Sequence, residues 1–282
     1  MSSRPRKRQA ESAPPTPEAK PVGKKRKTKR SKHDDEAYDV ELGINKLIAR
    51  MDNQLLADHL AQQVAKFGKD LSSVELSDLT VSASSICETT AWADARTTEK
   101  LADFLEEHAD NPASLKRAPK KNGAPHTIIV TGAGQRAADV ARHEPPEPPG
   151  PAGRPWPPPL CCISRLTSMS RVVRKFACGK DDTVAKLFAK HMKVEEQIAF
   201  LQNRKSGIGV GTPARLFELI KHGALSLENL QRLVVDASHI DGKKRGVMDM
   251  KDTLMPLARL LAADELKTRY EDEKKPLALL FY

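Results

Sequence analysis

Residues 207 to 236 constrain the fold more than any other stretch of the chain. Apolar Ile208 and Val210 predict a strand over 207–211. Leu216, Leu219 and Ile220 recur at helical spacing over 213–221 and stop at Gly223, and Leu233 to Val235 predict a second strand over 232–236. Strand, helix and strand in that order is the repeating unit of a parallel sheet. The alternation extends outward, with strand 126–131, helix 134–142, helix 172–177, strand 184–188 and helix 194–204 before it. Helix 248–262 follows, with Met250, Leu254, Leu257 and Leu261 as one stripe and Met248 and Met250 as core filler. The expected fold class is α/β, with a mostly parallel, doubly wound sheet.

Two turns in this pattern carry candidate chemistry. Thr212 is placed to cap the helix over 213–221 and Pro213 suits its first position. The free amides there and the positive end of the helix dipole form an anion site that Arg215, one turn on, can reach. A plain helix start explains the same residues, and both readings stay open. After strand 126–131, Gly132-Ala133-Gly134 resembles a dinucleotide-binding turn, but the third glycine would fall at Ala137 and no acidic residue closes a second strand. It reads as a tight strand-to-helix turn, with Gln135 and Arg136 as its polar contacts. A phosphate-cradling loop is not found: the Gly-Lys pairs at Gly23, Gly68, Gly179 and Gly242 are preceded five residues earlier by Glu18, Gln63, Arg174 and Ala237. They are followed by Lys25, Asp70, Asp181 and Lys244, so each fails at both ends.

Thr212, Pro213, Ala214, Arg215 and Leu216 resemble the Thr-Pro-Gly-Arg-Leu motif with which DEAD-box helicases hold the RNA backbone. Val234 to His239 stands where their Asp-Glu-Ala-Asp box would sit, and the turn from Thr131 to Arg136 resembles their motif Ia. In those enzymes an acidic pair holds magnesium and positions water; here Asp236 is followed by Ala237, Ser238 and His239, so the second carboxylate is missing. Leu187-Phe188-Ala189-Lys190-His191, Ile208 to Leu216, Val234 to His239 and the run Leu279-Leu280-Phe281-Tyr282 are similar to the Cms proteins, a family of ribosomal small-subunit assembly factors. The similarity covers residues 50–282 apart from one interruption. It implies a RecA-like, degenerate helicase domain of the P-loop NTPase type in a nucleolar protein of the early small-subunit precursor. Its implied RNA-backbone contacts are Thr131, Gly132, Gln135, Arg136, Gly211, Thr212, Pro213 and Arg215. No catalytic residue, cofactor or metal is expected. The implied partners are pre-ribosomal RNA and small-subunit assembly proteins, with no membrane and no small-molecule substrate.

Charge is segregated along the chain. Residues 1–33 hold 12 of the 47 Lys and Arg residues against Glu11 and Glu18, which leaves 35 basic against 35 acidic residues in the remainder. All of the net charge of +10 therefore belongs to the tail. With five prolines and no aromatic residue, that tail cannot bury enough apolar surface to offset its ordering entropy, so residues 1–38 are expected to be disordered. Its clusters Arg4, Arg6, Lys7, Arg8 and Lys24, Lys25, Arg26, Lys27, Lys29, Arg30, Lys32 are spaced like a two-part nuclear import signal and would bind RNA phosphates in a salt-dependent way. A generic polyanion-binding arm is the alternative. The N-terminus lacks the apolar run of a secretory signal. Cys87, Cys161, Cys162 and Cys178 show no metal-binding spacing and read as free intracellular thiols, and His191 and His239 as structural or polar loop residues.

Residues 39–122 form a helical and extended N-terminal region. A helix over 52–67 presents Leu56, Leu60, Val64 and Phe67, and another over 98–108 presents Leu101, Phe104 and Leu105. Val74-Glu75-Leu76 and Leu79-Thr80-Val81 are expected as extended segments, and 113–123 as a basic linker. The α/β domain spans 123–282 and is broken by a proline-rich insertion at 143–171, where a continuous helix would otherwise run. An exposed disordered insertion from a translated intron and a genuine linker loop both remain open. Three functions compete: a non-catalytic RNA-binding assembly factor, an active RNA-dependent ATPase with unconventional motifs, and a protein-docking scaffold whose tail is only an import signal.

Overall fold

The computed structural model describes residues 37–141, 176, 184–189, 192–272 and 275–282. The two basic clusters of the tail, the insertion at 143–171, His191 and all cysteines except Cys87 lie outside the described residues. Two short strands, β1 (Tyr38–Asp39) and β2 (Ile44–Asn45), form an antiparallel hairpin around Gly43, whose φ of 64° suits glycine. The other strands are β3 (Thr127–Val130), β4 (Ala185–Leu187), β5 (Ile208–Gly211), β6 (Arg232–Val235) and β7 (Ala278–Phe281). They form one parallel sheet in the order β4-β5-β3-β6-β7, with β3 at its centre.

Alternation along each strand feeds two layers of core. Ile128, Val130, Leu233, Val235, Leu279 and Phe281 enter one apolar cluster, whereas Ile129, Val234 and Leu280 enter the other. Both faces being buried, the strands read as continuous apolar runs, as parallel strands do. Helix α1 (Asn53–Phe67) lies on the first face, begins where Asp52 accepts a hydrogen bond from the Leu55 amide, and buries Leu56, Leu60 and Val64. Helix α2 (Ser73–Asp78) follows. Helix α3 (Leu101–Glu107) covers the second face with Leu101, Phe104 and Leu105, and helix α4 (Gly134–Val140) joins it there. Helices α5 (Val194–Asn203), α6 (Pro213–Lys221) and α7 (Lys251–Leu261) pack on the first face; α8 (Asp264–Tyr270) then leads back to β7. Helices on both faces make the sheet doubly wound, and α1 and α3 of the N-terminal region supply part of each layer.

Three departures from expectation have simple causes. Residues 73–78 are helical rather than extended, because Ser72 and Glu75 form a reciprocal capping box, with the Ser72 amide donating to Glu75 at 2.7 Å. Met250 is the N-cap of α7 rather than part of its apolar stripe. Strands β1, β2 and β7 and helix α8 lie outside the expected elements; β7 is a four-residue apolar run whose character is decided by its pairing with β6.

Candidate functional site

Parallel strands bring the motif residues to one edge. The turn after β3 (Thr131 to Arg136), the turn after β5 (Thr212 to Arg215) and the segment after β6 (Asp236 to His239) all leave the carboxyl ends of neighbouring strands. That is where open α/β sheets present their ligand crevices. The expected residues are therefore adjacent, but their side chains are already engaged.

Asp236, 1% exposed, receives two hydrogen bonds from one guanidinium: Arg136 donates from Nε at 2.6 Å and from Nη2 at 3.4 Å. The third nitrogen of Arg136 donates to Thr98 Oγ1, across 38 residues of chain. Burial opposes the Arg136 charge, and the Asp236 carboxylate more than restores it, so its pKa lies above the ordinary arginine value. Such a fork-to-carboxylate pair in a dry setting positions both groups firmly. The following residues are closed from two sides. The amides of Ala237 and Ser238 both donate to the Tyr282 carbonyl at 2.8 Å, while Asn45 donates to the Ser238 carbonyl at 2.7 Å and Ile240 to Gly43 at 2.9 Å. The N-terminal hairpin thus lies against the segment where an acidic box would open. His239 is held neutral more firmly than usual, by burial and then by the Arg136 charge. On the Tyr282 side, Arg96 donates from Nη1 to the Phe281 carbonyl at 2.7 Å and from Nη2 to the Thr89 carbonyl at 3.0 Å; burial pulls its pKa down to about 10.

The second turn is occupied in the same way. Thr212 stands at the N-cap of α6 but its side chain makes no cap hydrogen bond, contrary to expectation, and Pro213 takes the first helical position as expected. The Thr212 amide instead donates to the Leu187 carbonyl at 3.2 Å, holding edge strand β4. A side chain at Gly211 would collide with the Leu187 carbonyl, so this glycine serves strand packing. Arg215, with a side chain 10% exposed, points its guanidinium inward: Nη1 donates to Gln197 Oε1 at 2.9 Å and to the Met192 carbonyl at 3.3 Å, and Nε pairs with Glu218 at 3.1 Å. Gln197 in turn donates to the Lys186 and Phe188 carbonyls, tying α5 to β4. Thr131 is fully buried with its hydroxyl toward the Ala133 carbonyl, and Gln135 bonds Asp139 along the exposed face of α4. Gly132 packs against Val247. Arg136 and Arg215 are thus internal ties rather than cations presented to solvent.

Sequence reasoning missed Arg96, Thr98 and Tyr282 as members of this cluster. Their separation from Asp236 along the chain hides them, and only the parallel pairing of β7 with β6 brings Tyr282 to the box. Among the described residues no group of three or more His, Cys, Asp or Glu could hold a metal ion, and no helix is long and apolar enough to cross a membrane.

Among solved structures, the chain is similar to a DEAD box protein from the hyperthermophile Methanococcus jannaschii, at 16% identity and a TM-score of 0.33 over 67% of this chain and 37% of that one. The RNA helicase Prp28 from Chaetomium thermophilum matches at 13% identity and a TM-score of 0.32, over 79% of this chain and 42% of that one. Each match spans less than half of the solved chain. Protein CMS1 from Chaetomium thermophilum is 53% identical over 260 residues, covering 92% of both chains. Protein cms1 from Schizosaccharomyces pombe is 24% identical over 78% of this chain, and human Protein CMSS1 is 38% identical over 36%. A family model described as "U3-containing 90S pre-ribosomal complex subunit" matches residues 1–144 and 160–282, leaving out only part of the proline-rich run, and the chain belongs to this CMS1 family.

Proposed function

We propose that the protein is a non-catalytic assembly factor of the small ribosomal subunit precursor, acting in the nucleolus. It would contact pre-ribosomal RNA and neighbouring assembly proteins without turning over nucleotide. One observation carries the non-catalytic part: the single carboxylate of the degenerate box, Asp236, is consumed by Arg136 in a pair only 1% exposed on the acidic side. A magnesium ion would have to displace a bidentate guanidinium, and Ala237 offers no second carboxylate to compensate. Membership of a family of 90S pre-ribosomal complex subunits supports the assembly role, and the basic tail supplies sequence-independent affinity for RNA and a nuclear address.

The test is ATP turnover by the purified full-length chain with and without RNA. Hydrolysis at background is expected; RNA-stimulated turnover abolished by Asp236→Ala would contradict the proposal. Affinity purification should recover pre-ribosomal RNA and small-subunit factors together. A docking scaffold is the second reading, favoured by the internal engagement of Arg136 and Arg215, which leaves the helicase-like turns without free cations. Recovery of assembly proteins after nuclease treatment, with no direct RNA binding by the purified protein, would select it.

A further inference from the structure

The opposite end of the same sheet has the reverse character. Two neighbouring grooves, of about 900 Å³ and 780 Å³, open beside the amino ends of β3, β6 and β7 and share Lys120 as a common wall. Among the described residues seven cationic side chains line them, among them Arg117, Lys121, Lys205, Arg232 and Lys275, against two carboxylates, Asp110 and Glu228. Glu228 is already paired with Lys121. Residues 34–282 carry equal numbers of acidic and basic residues, so this excess is a local segregation and not the general charge of the chain.

The floor of the larger groove holds an incompletely partnered cation. Arg232 is the first residue of β6, fixed in register with Thr127 and Ala278, and only 2% exposed. Its Nε donates to the His108 carbonyl at 3.2 Å, but its Nη1 is buried without a hydrogen-bond partner among the described residues. Buried polar groups are normally satisfied, and a guanidinium left short of acceptors is a site awaiting an anion. In the same lining the Tyr270 hydroxyl is also without a partner among the described residues, whereas Arg269 spends both terminal nitrogens on the Leu227, Glu228, Leu230 and Lys275 carbonyls and shapes the wall. His126 next to Arg232 is held neutral at this site by burial and by the Arg232 charge.

We infer that these joined grooves bind the phosphodiester backbone of single-stranded RNA, with one phosphate on Arg232 and Lys275 and the strand continuing past Arg117 and Lys120 toward Lys205. The inference deepens the RNA-binding part of the proposed function and moves its folded contact from the carboxyl ends of the strands to the amino ends. Successive cations along an open track suit a ligand with one charge per nucleotide, and a ribosome precursor offers RNA as its abundant polyanion. With Tyr270, His108 and His126 as the aromatic groups among the described lining residues, base stacking contributes little and binding follows phosphate rather than sequence.

The test is photocrosslinking of the full-length protein to a 4-thiouridine-substituted oligouridine of about a dozen nucleotides, with the crosslinked peptides mapped by mass spectrometry. Crosslinks are expected in residues 113–123 and 275–278 as well as in the tail. Lys120→Glu with Lys275→Glu, both exposed, should abolish the groove crosslinks, keep those of the tail, and lower the salt-dependence slope of RNA affinity by about one per residue. The paired Lys→Arg substitutions should restore both, and an unchanged melting temperature excludes a folding cause. Crosslinks confined to the tail or to 131–136 and 212–215 would overturn the groove while leaving RNA binding intact. No crosslink anywhere would overturn both, and oligoglutamate competing as well as RNA for the groove would assign it to an acidic protein segment instead.

Discussion

At the carboxyl ends of the strands, the charged residues that resemble a helicase site are turned inward: Arg136 closes on Asp236, Arg215 on Gln197 and Glu218, and the hairpin at 43–45 lies over Ser238. At the amino ends, residues that resemble no motif leave a guanidinium buried and short of acceptors beneath a lysine-lined track. The contrast teaches that a motif's position in a fold and its chemistry can separate. The sheet still delivers the motif residues to one edge, but Ala237 after Asp236 leaves Asp236 to structural pairing with Arg136, and the cation-lined grooves belong to the other edge.

The comparison breaks first at Asp236. Its replacement by alanine leaves Arg136 buried and unpaired, so stability should fall by about 3–5 kcal/mol, read from the urea midpoint. Asp236→Leu combined with Arg136→Met should recover most of that loss, because the pair is then removed as a unit. A cost below about 1 kcal/mol for Asp236→Ala would show that the carboxyl end is not built around this pair.

At the other end, pH supplies the next largest effect. Burial and the neighbouring Arg232 charge hold His126 to about 4, against about 6.5 in an unfolded chain. Because the folded value is the lower one, the unfolded chain takes up the proton first as pH falls. The stabilisation is therefore full above pH 6.5 and is lost as pH falls toward 4, on the order of 2 kcal/mol by pH 5. Comparing denaturant stability at the two ends of this window, the parent should lose more than His126→Gln; parallel losses would mean that the amino end is well hydrated.

Arg215 sharpens the comparison more gently. Arg215→Ala removes its hydrogen bond to Gln197 and should lower stability by about 1–2 kcal/mol by thermal unfolding, with RNA affinity unchanged. Loss of affinity at an unchanged melting temperature would return the RNA contact to the carboxyl end. The smallest effect is expected at Ser72, where alanine removes one half of a capping box on an exposed helix and should cost roughly 0.5–1 kcal/mol.

The strands of the parallel sheet other than β7 were legible because strands buried on both faces are short apolar runs between turn residues, as in Ile208 to Gly211 and Leu233 to Val235. Val74 and Leu76 misled for the converse reason: two apolar residues alternating with polar ones suggest a strand, while Ser72 and Glu75, three apart, carried the helix signal. Of the candidate site, the positions were legible and the orientations were not. Thr131 to Arg136 and Thr212 to Arg215 do meet at neighbouring strand ends, yet nothing local to Arg136 reveals an aspartate 100 residues away.

What the amino-acid sequence determined by itself is the order of the strands and helices from β3 to α7, the two-sided burial of the sheet and, through the resemblance, the missing second carboxylate at Ala237, since each depends on side chains a few residues apart. Only the tertiary structure decided which cations are free. Arg136, Arg215 and Arg232 are the same residue type at element ends, and their different fates follow from what the parallel pairing of distant strands sets beside them: a carboxylate, a glutamine, and an open groove. The energy of a charge is set by the acceptors and water within a few ångströms of it, and that neighbourhood is assembled by long-range contacts.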